Sequence, residues 1–371
     1  MVDQRRAPCT LTTRIPAQPV RCAQWARAQQ VDPVGTAGSY AGYLLVEWPL
    51  PWPRDAGDVE ELQAVREAVT GLGLRFQLLV PAASLVRRVT LYRRPEGPFS
   101  AFEGREAHVW LRPQDTTAAD AAGAGTSAAE AIARATEQLL AGGGEPVRHC
   151  DVLVCSHGRR DRCCGSLGTA LWKQLSEAAA AGTCDTGTAE TAETAGAGAA
   201  GVRLARTSHT GGHRFAPTCI VLPAGTLWGF LDADALSRIL RRTGPLDDLL
   251  PRYRGCSGLG SPGAQALERA VLREVGWPLF DQARSVEDLG AGRLRLSVTG
   301  PTGAAAWEAT VRPGRMHPVP ECGEPLELAK KTETEQRVED FALVTPAGSS
   351  LLAGSRRDRS GRPGDRRGPL G

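Results

Sequence analysis

Lysine is almost missing from this chain: Lys173, Lys330 and Lys331 stand against 41 arginines in 371 residues. With abundant alanine and glycine, that bias reads as the mark of a GC-rich bacterial genome rather than an adaptation. No apolar run approaches ~20 residues, so no membrane-spanning helix is expected. Residues 1–14 carry scattered charges and no apolar stretch, so no secretory leader is expected. No C-x-x-C occurs, which removes the commonest sign of a thiol–disulfide oxidoreductase. The ten cysteines are too irregularly spaced for a disulfide framework. These absences point to the cytoplasm, where thiolates stay reduced. The net charge is +3, yet residues 355–371 hold six Arg and two Asp, so the body is about neutral. That tail reads as a disordered extension, and nucleic-acid binding is not expected.

What is present is a pair of short motifs about fifty residues apart: C-S-H-G-R-R-D-R-C-C-G at 155–165 and H-T-G-G-H at 209–213. Cys155 closes the apolar run Asp151-Val152-Leu153-Val154, which reads as a buried strand. The polar residues after it read as a loop. Leu167, Leu171 and Leu175 then recur at a helical spacing, so Cys164 stands just before a helix. His209 and His213 would share a helix face, but Gly211-Gly212 between them argues for a loop that lets backbone approach a bulky group. Two thiols and two imidazoles suit a soft or borderline metal centre. Zinc-finger spacing fits the histidines and not the cysteines.

These residues resemble the sucrase/ferredoxin-like family, whose cluster domain belongs to the thioredoxin-like ferredoxins. The resemblance rests on Cys155, His157, Arg160, Asp161, Cys164 and Gly165, and on His209, Gly211, Gly212 and His213. It continues through the strand–Pro–Gly–aromatic–Gly run ending at Gly229, and Tyr253-Arg254-Gly255-Cys256 with Gln265 also looks familial. It covers roughly residues 20–345. It implies a [2Fe–2S] cluster held by Cys155, Cys164, His209 and His213, with one-electron transfer as the activity. Cys163 directly precedes Cys164, so two neighbouring thiols compete for the second thiolate position; the spacing from Cys155 and the following Gly165 favour Cys164. The "sucrase" of the family name finds little support, since glycoside hydrolysis needs two flanking carboxylates and no such pair stands out.

A catalytic enzyme is less expected than an electron carrier. Histidine ligands keep a second ring nitrogen, so reduction coupled to protonation at His209 or His213 is expected. Arg159, Arg160 and Arg162 either meet the acidic surface of an unidentified redox partner or neutralise Asp161 locally. A redox sensor is a variant of the same reading. The rivals are a structural zinc protein and a thiol–disulfide oxidoreductase using Cys163 and Cys164. His157 reads as a supporting loop histidine, and Cys9, Cys22, Cys150, Cys184, Cys219, Cys256 and Cys322 as isolated cysteines.

The expected fold is α/β (α+β). Residues 1–38 read as irregular and 39–145 as an N-terminal α/β domain whose strand–helix–strand–strand order suggests a degenerate thioredoxin-like copy without ligands. Residues 146–245 read as the thioredoxin-like ferredoxin domain, with a low-complexity insertion at 178–201. Residues 246–345 read as a small C-terminal unit of helix and β-hairpin, and 346–371 as a disordered basic tail.

Overall fold

The computed structural model describes residues 20–111, 127–180, 201–301 and 303–344. Cys9, Cys184, most of the insertion and the basic tail lie outside the described residues. The segment expected to be irregular contains α1 (Cys22–Ala28). Its buried face is only Cys22, Ala23 and Ala26, too small and too weakly apolar to register as a stripe.

Ten strands form one mixed sheet. Its first half contains β1 (Gly42–Glu47), α2 (Gln63–Thr70), β2 (Leu74–Leu79), β3 (Val86–Arg93), β4 (Glu103–Trp110), α3 (Ala128–Leu140) and β5 (Glu145–Pro146). The second contains β6 (Cys150–Cys155), α4 (Thr169–Ala180), β7 (Val202–Thr207), β8 (Cys219–Leu222), β9 (Thr226–Trp228), α5 (Ala233–Arg241) and β10 (Tyr253–Cys256). The halves share one plan. β1 pairs parallel with β2, and β6 with β7, across a helical crossover. On their other sides β1 and β6 pair antiparallel with β3 and β8, which then turn back into β4 and β9.

The two halves meet where β2 touches β7, through the single register pair Leu79↔Thr207. Side chains reinforce so short a ladder: Thr207 Oγ1 donates to the Leu78 carbonyl, and Gln77 Nε2 donates to the carbonyl and hydroxyl oxygens of Ser208. The chain that leaves this seam runs directly into His209.

Hydrophobic burial follows the same division. Leu44, Val46, Val65, Val69, Ile132 and Leu139 pack α2 and α3 on the first half. α3 forms where its apolar spacing predicts, and Ser127 with Glu130 closes a capping box at its start. Around the second half, Val152, Leu171, Leu236 and Trp228 join a core that continues into the C-terminal unit. Each fully buried side chain of this size stabilises the fold by about 1.5–3 kcal/mol.

The C-terminal unit is α6 (Pro262–Val275) with a four-stranded antiparallel sheet, β11 (Ala283–Gly290), β12 (Arg293–Gly300), β13 (Gly303–Pro318) and β14 (Thr332–Leu343). The hairpin expected in this unit is present, with Gly300 opposite Gly303. α6 buries Leu267, Val271 and Leu272 in the same core as Leu296 and Trp307. A buried polar network ties the unit to the large sheet: Glu268 of α6 accepts from Arg284 of β11 and from the Tyr253 hydroxyl of β10, the latter at 2.6 Å. No helix among the described residues is long and apolar enough to cross a membrane.

Candidate metal centre

Cys155 ends β6 in a fully buried position, its amide donating to the Thr218 carbonyl at 3.0 Å. The chain then leaves the sheet in a tight loop. The amides of Arg160 and Asp161 both return to the His157 carbonyl. Asp161 Oδ1 accepts from the amides of Cys163 at 2.8 Å and Cys164 at 3.1 Å, which caps the turn that follows. That turn, Cys164–Gly168, is a π-helical entry to α4; such turns are frequent at functional sites. It lies so close to the strand end that a Cβ on Gly168 would sit 1.8 Å from the Cys155 carbonyl oxygen. The thiols of Cys155 and Cys164 are thus brought together by a backbone contact that only glycine permits.

The second motif is a loop, as the glycine pair predicts. Gly211 and Gly212 have φ of 78° and 64°, and Arg254 holds them in place. Arg254 is buried and donates to the Gly211 carbonyl at 3.0 Å, to Thr36 Oγ1 at 3.1 Å and to the Thr36 carbonyl at 2.6 Å. Burial, aided by the neighbouring charge of Arg214, lowers the Arg254 pKa to about 10. Gly255 leaves room for Gln265, which bonds both backbone groups of Ala37. The 253–256 run therefore anchors the segment around residue 36 and the histidine loop to one another.

Donor atoms of Cys155, Cys164 and His209 lie within 4.8 Å of one another and can hold a metal ion. Cys164 and His209 favour the Cys155 thiolate despite its burial, so its pKa falls well below the usual thiol value. The Cys164 pKa rises correspondingly, through its hydrogen bond to Cys155 and its own burial. His209 Nδ1 is buried without a hydrogen-bond partner among the described residues. His213 stands at the edge of this group. Its ring centroid is 6.1 Å from that of His209, and its Nδ1 faces Asp161 Oδ2 at 3.1 Å and Cys22 Sγ at 3.2 Å. The thiols are fully buried, whereas both histidines are partly exposed.

The neighbours of the motif are placed as follows. His157 is buried, 2.9 Å from the Pro53 carbonyl and edge-on to Trp52, so it pins the loop to the first half of the sheet. Arg159, Arg160 and Arg162 are exposed, with Arg160 3.8 Å from Asp55. Three cysteines that sequence spacing leaves unconnected converge here. Cys22 of α1 and Cys322 of the β13–β14 connection meet Cys163, with Asp161 completing a second group whose donor atoms lie within 4.8 Å of one another. No local pattern could have joined positions 139 and 159 residues apart.

The family model for sucrase/ferredoxin-like proteins matches residues 33–255. This span includes both motifs and the Arg254 anchor, and stops short of the C-terminal unit to which the sequence resemblance extends. No curated protein and no solved structure matches the chain. The chain belongs to the sucrase/ferredoxin-like family.

Proposed function

We propose that Cys155, Cys164, His209 and His213 hold a [2Fe–2S] cluster and that the protein carries single electrons to and from a redox partner. The observation that carries this reading is the meeting of Cys155, Cys164 and His209 from two distant motifs, with His209 Nδ1 buried and unpartnered. Such a cluster takes up and returns one electron, and two imidazoles in place of thiolates raise its potential above that of a four-cysteine ferredoxin.

The protein's own groups suit that task. The buried thiols exclude water from one side, and the partly exposed histidines offer the short path to the surface. Asp161 accepts a proton-bearing Nδ1 of His213, which leaves the other ring nitrogen for the metal and fixes the ring's orientation. Exposed Arg159, Arg160 and Arg162 supply positive charge for an acidic partner surface. The shared plan of the two sheet halves supports a thioredoxin-like ferredoxin domain preceded by a ligand-free copy.

The test is iron, acid-labile sulfide and zinc content, with a visible spectrum, on full-length protein purified without oxygen. About two iron and two sulfide per chain are expected. Zinc without sulfide at these residues identifies a structural zinc centre, and the absence of all metal leaves thiol–disulfide chemistry. Rapid bleaching of the cluster in air favours sensing over carriage.

A further inference from the structure

We propose that Cys22, Cys163, Cys322 and Asp161 form a second metal site, separate from the cluster ligands, that takes a single zinc ion. Three thiols arrive from three distant parts of the chain: the start of α1, the loop after β6 and the β13–β14 connection. Cys163 and Cys322 Sγ atoms lie 3.1 Å apart, and Cys22 Sγ is 3.7 Å from Asp161 Oδ2. With Zn–S bonds of about 2.3 Å, two sulfurs on a tetrahedral zinc stand about 3.8 Å apart. The four donors, all within 4.8 Å of one another, are therefore already at the right scale. Three soft thiolates with one carboxylate suit a borderline divalent ion better than a hard one.

The surroundings are those of a held thiolate group. Cys22 and Cys163 are buried. The amide of Ala23 points to the Cys163 sulfur and that of Cys22 to the Cys322 sulfur, which offsets part of the negative charge. Backbone bonds from Val20 to Glu324 at 3.1 Å and from Gly323 to Val20 at 2.9 Å clamp the two outer segments together. Binding displaces the thiol protons and staples α1 and the C-terminal connection over the cluster loop. Asp161 is the shared element: one oxygen caps the Cys163–Cys164 turn, and the other faces both Cys22 and His213.

The experiment is metal analysis of the full-length protein, loaded with its iron and sulfide, after exposure to zinc under reducing conditions and desalting. About one zinc per chain is expected beside the iron. Cys322→Ser and Cys22→Ser should each lose that zinc and keep iron, sulfide and the visible spectrum. Cys155→Ser should lose iron and sulfide and keep zinc. Cobalt bound to the wild type, which depends on no variant folding, should give intense thiolate-to-cobalt charge-transfer bands. Zinc that is absent, or that persists unchanged in both Cys22→Ser and Cys322→Ser, overturns the site. So does a Cys163–Cys322 disulfide in protein that binds no metal. A wild type lacking iron and sulfide but losing zinc in Cys322→Ser refutes the cluster reading alone.

Discussion

Asp161 Oδ2 lies 3.1 Å from His213 Nδ1, joining the two motifs across the gap that separates them in sequence. Burial works against the Asp161 carboxylate, but His213 and the amides of Cys164 and Cys163 outweigh it and hold its pKa below the usual carboxylate range. The anion beside the proposed cluster disfavours added electrons. Asp161→Asn keeps an acceptor for the amide caps and removes that charge. The midpoint potential should therefore rise, by roughly 60 mV, the one-electron equivalent of a tenfold change in equilibrium. Protein-film voltammetry measures it; an unchanged potential means that Asp161 does not act on the redox centre.

The neighbouring thiols should separate cleanly. Cys164 meets Cys155 and His209, whereas Cys163 meets Cys22 and Cys322. Cys164→Ser should abolish the visible spectrum with loss of iron and sulfide, and Cys163→Ser should retain all three. The reverse outcome would assign the second cluster thiolate to Cys163.

Gly168→Ala should be among the most damaging small substitutions in the chain. The added methyl meets the Cys155 carbonyl, a backbone atom that no side-chain rotation can move. A loss of about 3 kcal/mol is expected. Chemical denaturation of the metal-free protein reads this directly, and a loss below 1 kcal/mol would show that the strand end and the π-turn can separate.

Arg254→Met should loosen both segments that Arg254 anchors. Its bonds to the part-buried carbonyls of Gly211 and Thr36 disappear, a loss of about 2–4 kcal/mol. Faster amide exchange confined to residues 34–37 and 209–213 is the expected signature. Protection unchanged in both segments contradicts the anchoring role.

Acid sensitivity should come partly from the sheet interior. Asp151 of β6 is fully buried; burial raises its pKa, but Arg203 and, at longer range, His149 more than offset this and bring it to about 2. The folded-state value lies below the unfolded value of about 3.9. The stabilisation is therefore complete above about pH 4 and is lost as pH falls toward 2, about 2–3 kcal/mol in all. Urea midpoints across that window should fall in the wild type. In Asp151→Asn this component of the slope should vanish.

Elements with a clean local pattern are legible in the sequence: α3 as a helix over 128–140, β6 by its apolar run, and the β12–β13 hairpin by its glycine turn. Others are not. β7 carries two arginines, and Arg203 is buried because Asp151 on the adjacent strand, with Glu106 of β4, receives it. β10 is four residues long, β11 mixes charged and small residues on a partly exposed sheet, and only the end of β14, from Val338, reads as a strand. Backbone pairing and long-range partners, not side-chain periodicity, decide these strands.

The same boundary runs through the functional centre. The residue types and spacing of the two motifs by themselves determine a thiol–imidazole donor set and the family. Only the tertiary structure decides which thiols share a group. Cys22 and Cys322 carry no local signal, because a metal-sized cluster needs proximity in space and the chain supplies it through sheet pairing and α1 docking. His213 likewise faces Asp161 because the Gly211–Gly212 loop is held by Arg254, a contact made only when the sheet brings β10 beneath it.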